Sequence, residues 1–455
     1  MKRAAKIMAP LPIIILVISF LCPTELSLHI GSLRLPPHRV ALLLLLPLAL
    51  MRILSRPDIH IKSFDIFFIL FNVWTVVVFT YNEEGLAGFI FGGSLALESL
   101  GAYMIARAWI RDLPTFQASL RVIALGVITA ALFAMPETFL GKTFTHDFLA
   151  KVTGYYHPTG TETRLGLTRA YGTFDHPIHY GTFCAGLLAL FWFGERRVGG
   201  KRKKAALLFG ATFLGLSSAP ILCLILQTSL ITWEKISRGI ASRVSLTLAL
   251  LSVLYIGASL ISTRSPIAFI ATGMTLDPWT GYYRLKIWEH GMENVWANPW
   301  FGIGLGDWER PWWMVSSTVD AFWLVIAMRG GIPTFLLLAV AIVLITRAVV
   351  KNQSKLADPT ARRLVAGWLI SLIALSLIGC TVHYWNVLHS YYFFFVGLAG
   401  WLADPRKVSL KSYAKRRQQR GKSQKMRPRA PPRPATQHPS QPPLWPQPGY
   451  GPALA

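Results

Sequence analysis

Four side chains in this sequence have the charge and the company to handle a phosphate ester and a proton: Arg169, His176, Arg284 and Asp320. An arginine grips a phosphate through two parallel charge-assisted hydrogen bonds. Arg169 stands in Thr168-Arg169-Ala170-Tyr171-Gly172-Thr173-Phe174-Asp175-His176-Pro177, where Gly172 and the later Gly181 let backbone approach a ligand closely. The competing reading of Arg169 is a side chain that snorkels to lipid headgroups or pairs with Glu162. Arg284 lies in Tyr282-Tyr283-Arg284-Leu285-Lys286-Ile287-Trp288-Glu289-His290-Gly291. Helical spacing puts Arg284, Trp288 and Gly291 on one face and Lys286 with Glu289 on another. An interfacial amphipathic helix with ordinary anchors fits that pattern as well. Asp320, at the entrance of an apolar run, is a general-base candidate if partial burial raises its pKa, and a plain helix cap if not. His176 is the second candidate base.

Aromatic residues near these charges, Tyr282, Trp288, Trp312 and Trp313, have flat faces on which sugars stack, and Gly302-Ile303-Gly304-Leu305-Gly306 forms a flexible turn after Asn298-Pro299. The glycine run follows a predicted helix and not a strand, so it does not carry a nucleotide-binding reading. Glu98 is the one acid deep within an apolar run. Intramembrane carboxylates are functional by default, although a polar partner on a neighbouring helix would also satisfy it.

The elements that must position these groups are membrane helices. Of 455 residues 53% are hydrophobic and 15% charged, which is too apolar for a soluble fold of this size. Apolar runs near 9–24, 38–54, 63–81, 86–108, 115–135, 177–194, 205–218, 219–234, 243–262, 331–349, 364–384 and 387–403 predict about twelve spans, the seventh short enough to belong to a re-entrant hairpin broken at Pro220. The amino-terminal run lacks a cleavage site and reads as an uncleaved first span. Lys and Arg alternate between connections, so both termini are expected in the cytoplasm, with 136–176 and 263–330 as long extracytoplasmic segments.

The net charge of +25 gives no nucleic-acid partner, because it is spread over cytoplasmic connections and the tail. From Asp404 onward twelve Lys and Arg stand against one Asp, followed by Pro, Gln and Ser; residues 404–455 are expected to be a disordered cytoplasmic tail drawn to anionic lipid. Cys22, Cys184, Cys223 and Cys380 show no metal or disulfide spacing, and no metal or cofactor is expected.

Taken together the motifs resemble the O-antigen ligase and polysaccharide polymerase family, bacterial inner-membrane transferases that take glycans from a polyprenyl-diphosphate carrier. Arg169 with Gly172, Phe174 and Pro177 looks like the family's first arginine motif. Arg284 with Trp288, Asn298-Pro299 and the glycine run looks like its second. The resemblance implies an all-α, GT-C-like polytopic fold and a metal-independent glycosyltransferase. It implies a polyprenyl-diphosphate-linked donor, a glycan or lipid-linked acceptor, and room for export or chain-length machinery as partners. Arg169, Arg284, Asp320 and His176 would be catalytic; Trp288, Tyr282, Trp312, Trp313, Gly302 and Gly304 would bind substrate. Two departures stand out. Ligases of the family place a histidine ahead of the glycine ending the large loop, where this chain has Asp320 before Gly331, and a family Ser-Arg pair is here Ser217-Ser218. The aspartate shifts weight modestly from a lipopolysaccharide ligase toward a polymerase of exopolysaccharide or capsule. A transporter or glycan flippase is the rival class, although no internal repeat supports it.

Overall fold

A computed structural model describes residues 8–404 apart from 32, 84, 157, 158, 161, 196, 241–244, 248, 251, 254 and 257–277. It is built almost entirely of helices, with two short antiparallel hairpins, Leu28–Ile30 with Leu33–Leu35 and Thr163–Arg164 with Leu167–Thr168. Among the described residues seven helices are long and apolar enough to cross a membrane: Pro37–Ser55, Ser63–Asn82, Leu86–Trp109, Leu113–Leu140, Ser218–Gly239, Phe322–Lys355 and Pro359–Ile378.

The other five expected spans come out differently. The first is a ten-residue helix, Leu11–Phe20. The run 177–194 is two pieces, Pro177–Ala185 and Leu188–Gly194, parted at Gly186 and Leu187. The run 205–218 belongs to Val198–Leu214, and the last run is Asn386–Leu398 followed by Gly400–Ala403. Much of 243–262 lies outside the described residues, as do 263–277 of the expected long loop and the tail beyond Asp404.

Helix ends follow capping chemistry. Asp112 accepts from Thr115 N at 2.9 Å and Asp358 from Thr360 N at 2.6 Å, each satisfying an otherwise orphaned N–H at a helix start. Apolar side chains of most helices meet in one core that includes Phe68, Tyr103, Phe183, Trp368 and Phe393. A smaller cluster of Ile287, Val295, Trp308, Met314, Val319 and Leu324 packs the expected external loop onto the helix Phe322–Asn352.

That helix starts nine residues before the predicted span and breaks at Gly331, whose φ of 78° is left-handed. The break frees two carbonyls. Ile332 N donates instead to Pro299 O at 2.7 Å, and Pro333 has no N–H to give. The loop makes good the loss: Ile303 N donates to Met328 O at 2.9 Å and Gly304 N to Arg329 O at 3.1 Å. Gly302 is needed there because a Cβ on it would lie 2.5 Å from the Arg329 backbone. The glycine run is thus a strap that completes a broken helix, with Asn82 and Glu83 fastening its other edge through Phe301 O at 2.9 Å and Leu305 N at 2.6 Å.

Candidate functional site

The turn between Pro359–Ile378 and Asn386–Leu398 gathers the elements that bear the candidate residues. Trp288 Nε1 donates to Cys380 O at 2.7 Å, which docks the helix Pro278–Ala297 and so Arg284. Phe322 N donates to Val382 O at 3.1 Å, which sets Asp320 two residues upstream. The ring of His179 bonds His383 O at 3.1 Å and lies 3.7 Å from the Trp385 ring, bringing in the helix that begins after His176. Asp175 adds a second clasp, accepting from Thr24 Oγ1 at 2.6 Å and Asn386 Nδ2 at 2.7 Å.

Between these elements lies a cavity of about 670 Å³. Arg169, His176, Arg284 and Asp320, spread over more than 150 residues of sequence, all line it. The fold therefore brings the four expected catalytic residues together. Arg164, His179, His383 and Ser217 line it as well, so three arginines stand against the two acids Glu162 and Asp320. A cleft with that balance and low-dielectric walls concentrates anions.

Arg169 is 4% exposed. One guanidinium nitrogen pairs with Glu162, and Nη2 donates to Ser217 Oγ at 3.0 Å, while Nε has no partner among the described residues. The pairing with Glu162 expected as a competing reading is thus present, yet Glu162 is 66% exposed, and a pair so open to water holds weakly against an incoming anion. Ser217 sits after Leu216, whose φ of 41° is unusual for a branched side chain, at the turn between Val198–Leu214 and Ser218–Ile236. That turn also receives Ala170 N on Leu214 O at 3.1 Å. The hairpin expected from Pro220 is therefore the floor under Arg169.

Sequence reasoning missed Glu137. Buried at the end of Leu113–Leu140, its Oε2 accepts from Tyr171 N and Gly172 N, each at 2.8 Å, and so fixes the backbone just after Arg169. It was hidden because it falls at the edge of an apolar run, next to Pro136, where an acid reads as the first residue of a loop.

Arg284 is 9% exposed and its Nε has no partner among the described residues. Burial pushes its guanidinium pKa below the ordinary value; Asp320 opposes that shift and the nearby Arg169 adds to it. Asp320 is not a cap. The residue capping Phe322–Asn352 is Ala321, and burial raises the Asp320 carboxyl pKa although Arg284 pulls it back. His176 is the cap of its helix, Nδ1 accepting from Ile178 N at 3.1 Å. A neutral His176 therefore carries its proton on Nε2. His383, also missed, faces the cavity with its pKa pushed down to about 3 by burial and by His389 and Arg329. It lay in what reads as the tail of an apolar run, but the helix ends at Ile378.

The six residues expected to bind substrate do not line the cavity. Trp288 spends its N–H on Cys380, and Gly302 and Gly304 form the strap. Trp312 is 92% exposed, Tyr282 stacks near Trp279, and Trp313 packs edge-on to Tyr283 in the smaller cluster. Lys286 and Glu289 pair at 2.6 Å on the solvent face, as helical spacing implied. The chain matches no family model and no curated protein sequence. The cavity's own side chains are what a functional reading has to stand on.

Proposed function

We propose that the protein is a membrane glycosyltransferase of the O-antigen ligase and polysaccharide polymerase type, taking glycan units from a polyprenyl-diphosphate carrier. One observation carries the reading. Two buried arginines, each with an Nε unpartnered among the described residues, line the same cavity as a half-buried carboxylate with a raised pKa. Two like charges held together in low dielectric cost stability, and a fold that tolerates them is suited to an anion with more than one phosphate.

In this reading Arg169 and Arg284 hold the diphosphate. Ser217, its hydroxyl donating to Gly215 O at 2.8 Å, holds Arg169 in place, and Asp320 accepts the proton of the acceptor hydroxyl. The acceptor oxygen forms a bond to the anomeric carbon as the bond from that carbon to the diphosphate oxygen breaks; the leaving electron pair stays on the diphosphate, where the guanidinium groups neutralise it. The hydroxyl proton ends on Asp320 Oδ. Attack opposite the leaving group inverts the anomeric centre. In this reading, which the alternation of basic connections supports, the cavity opens on the extracytoplasmic side of a bacterial inner membrane, where lipid-linked glycans are presented. Asp320 in the place of the family's histidine favours a polymerase of exopolysaccharide or capsule over a lipopolysaccharide ligase.

Binding of a short prenyl diphosphate and of the matching monophosphate to the purified protein tests the clamp. The diphosphate should bind at least about tenfold more tightly, in keeping with one additional charge-assisted contact, and Arg284→Ala should erase the difference. Equal binding of the two by the unaltered protein would overturn the reading.

A further inference from the structure

A second chamber of about 180 Å³ shares His383 and Trp385 with the first cavity and reaches inward to Glu98. Glu98 is fully buried, and its placement is unusual. The helix Leu86–Trp109 widens into a π turn over Leu97–Gly101 that carries Glu98 and Ser99, and π turns interrupt α-helices mostly at functional positions. Glu98 Oε1 accepts from Arg39 Nε at 2.7 Å and is bonded to His38 Nε2 at 3.1 Å, so the charge is met. Oε2 has no partner. His389, 7% exposed, also lines the chamber and has its Nε2 unpartnered, and so does Nδ1 of His383. Aromatic side chains, Phe79, Phe91 and Trp385 among them, share the rest of the wall with Arg39, which is bound to Glu98, and Arg329, whose Nη1 donates to Gly304 O at 2.7 Å.

These groups define what fits. A hydrocarbon would leave three buried polar atoms without partners, which is costly. An additional anion would compete with Glu98 and Gly304 O for the guanidinium groups of Arg39 and Arg329, and it could offer the free oxygen of Glu98 no proton. What satisfies an orphaned carboxylate oxygen and two imidazole nitrogens between aromatic walls is a neutral ring bearing hydroxyls. At the roughly 30 Å³ that a water occupies in the liquid the chamber has room for about six waters, the scale of one sugar ring.

We propose that this chamber is a sugar-binding subsite that receives the hydroxyl-bearing end of the acceptor glycan, with Glu98 Oε2 and His389 Nε2 as its hydrogen-bonding groups. The word acceptor rests on the transferase reading; the binding of a sugar does not. Because Trp385 and His383 line both spaces, a ring held here presents its hydroxyls beside the diphosphate cavity.

The test uses the full chain in lipid nanodiscs and the methyl glycosides of glucose, galactose, mannose and N-acetylglucosamine as probes, read by saturation-transfer NMR without donor or turnover. At least one glycoside should show saturated ring protons. Glu98→Gln should weaken that binding about tenfold, the scale of one lost hydrogen bond to a charged group. Leu95→Trp, which fills the chamber without touching the Glu98 pairings, should do the same if Glu98→Gln fails to fold, and Arg284→Met should leave the signal in place. No saturation with any glycoside, a signal that survives both chamber variants, or saturation only of an added prenyl alcohol would overturn the proposal. Sugar binding that depends on Glu98 in a protein that never transfers glycan would sustain the subsite and sink the transferase reading, so the two fail separately.

Discussion

Replacing Arg284 by Met separates function from stability in a way that few substitutions can. The side chain is 9% exposed, has an unpartnered Nε, and is held where burial and Arg169 both oppose its charge while only Asp320 favours it. The folded protein therefore holds this cation less willingly than water does, and a neutral chain of similar length relieves that cost. Thermal stability of the ligand-free protein should not fall and should rise slightly. Transfer should collapse: removing one preorganised donor from a developing anion typically costs about 10²–10³ in rate, or about 3–4 kcal/mol. Arg284→Lys keeps the charge and loses the planar fork, so it should retain more activity than Met. The assay is glycan transfer in proteoliposomes alongside a thermal melt of the same preparation. Activity within about threefold of the unaltered protein, a change far below that expected for a transition-state donor, would refute the clamp. Activity and melting temperature falling together would make Arg284 a structural residue.

Asp320→Asn should abolish transfer and stabilise the protein at neutral pH. The folded pKa of Asp320 is raised, so its contribution to stability is fully present below the ordinary carboxylate pKa and is lost as pH rises through the raised value. By the same shift the acid limb of kcat/KM should lie above the usual carboxylate range, because the base must be ionised; a limb at an ordinary carboxylate pH would speak against Asp320 as the base. Glu137→Ala strips the two N–H bonds that fix Tyr171 and Gly172, and should cost about 1–3 kcal/mol of stability in a chemical or thermal melt, hydrogen bonds being worth about 0.5–1.5 each. Gly331→Ala puts a Cβ 2.3 Å from Trp300 O at a left-handed φ, and should lower the melting temperature and loosen the strap, seen as faster amide exchange at Ile303 and Gly304.

Much of the architecture is readable in the residues because a membrane leaves backbone groups so few options. Long apolar runs such as 63–81 and 115–135 have to be helices, and they are. Shorter or interrupted runs were not readable in the same way: 177–194 carries enough polar and small residues to break at Gly186, and 331–349 conceals a helix that begins at Phe322, because Gly331 and Pro333 look like a boundary when a strap from another segment repairs the break. Arg169, Arg284 and Asp320 stood out as charges beside apolar runs, and the cavity unites them. The aromatic residues misled. Trp288 and Trp312 have the type that stacks on sugars, but whether a tryptophan faces a ligand, a carbonyl or solvent depends on neighbours distant in sequence. Glu137, His179 and His383 were hidden for the related reason that their partners lie 34 to 204 residues away.

The most direct measurement is to reconstitute the purified full chain in liposomes with a purified polyprenyl-diphosphate-linked glycan and to analyse the products. The account expects glycan lengthened or moved to a new acceptor with release of polyprenyl diphosphate, as ladders if the protein is a polymerase and as a single addition if it is a ligase, all lost in Arg169→Ala and Arg284→Ala. Intact lipid-linked glycan crossing the bilayer with its diphosphate bond unbroken would contradict it and make the protein a carrier.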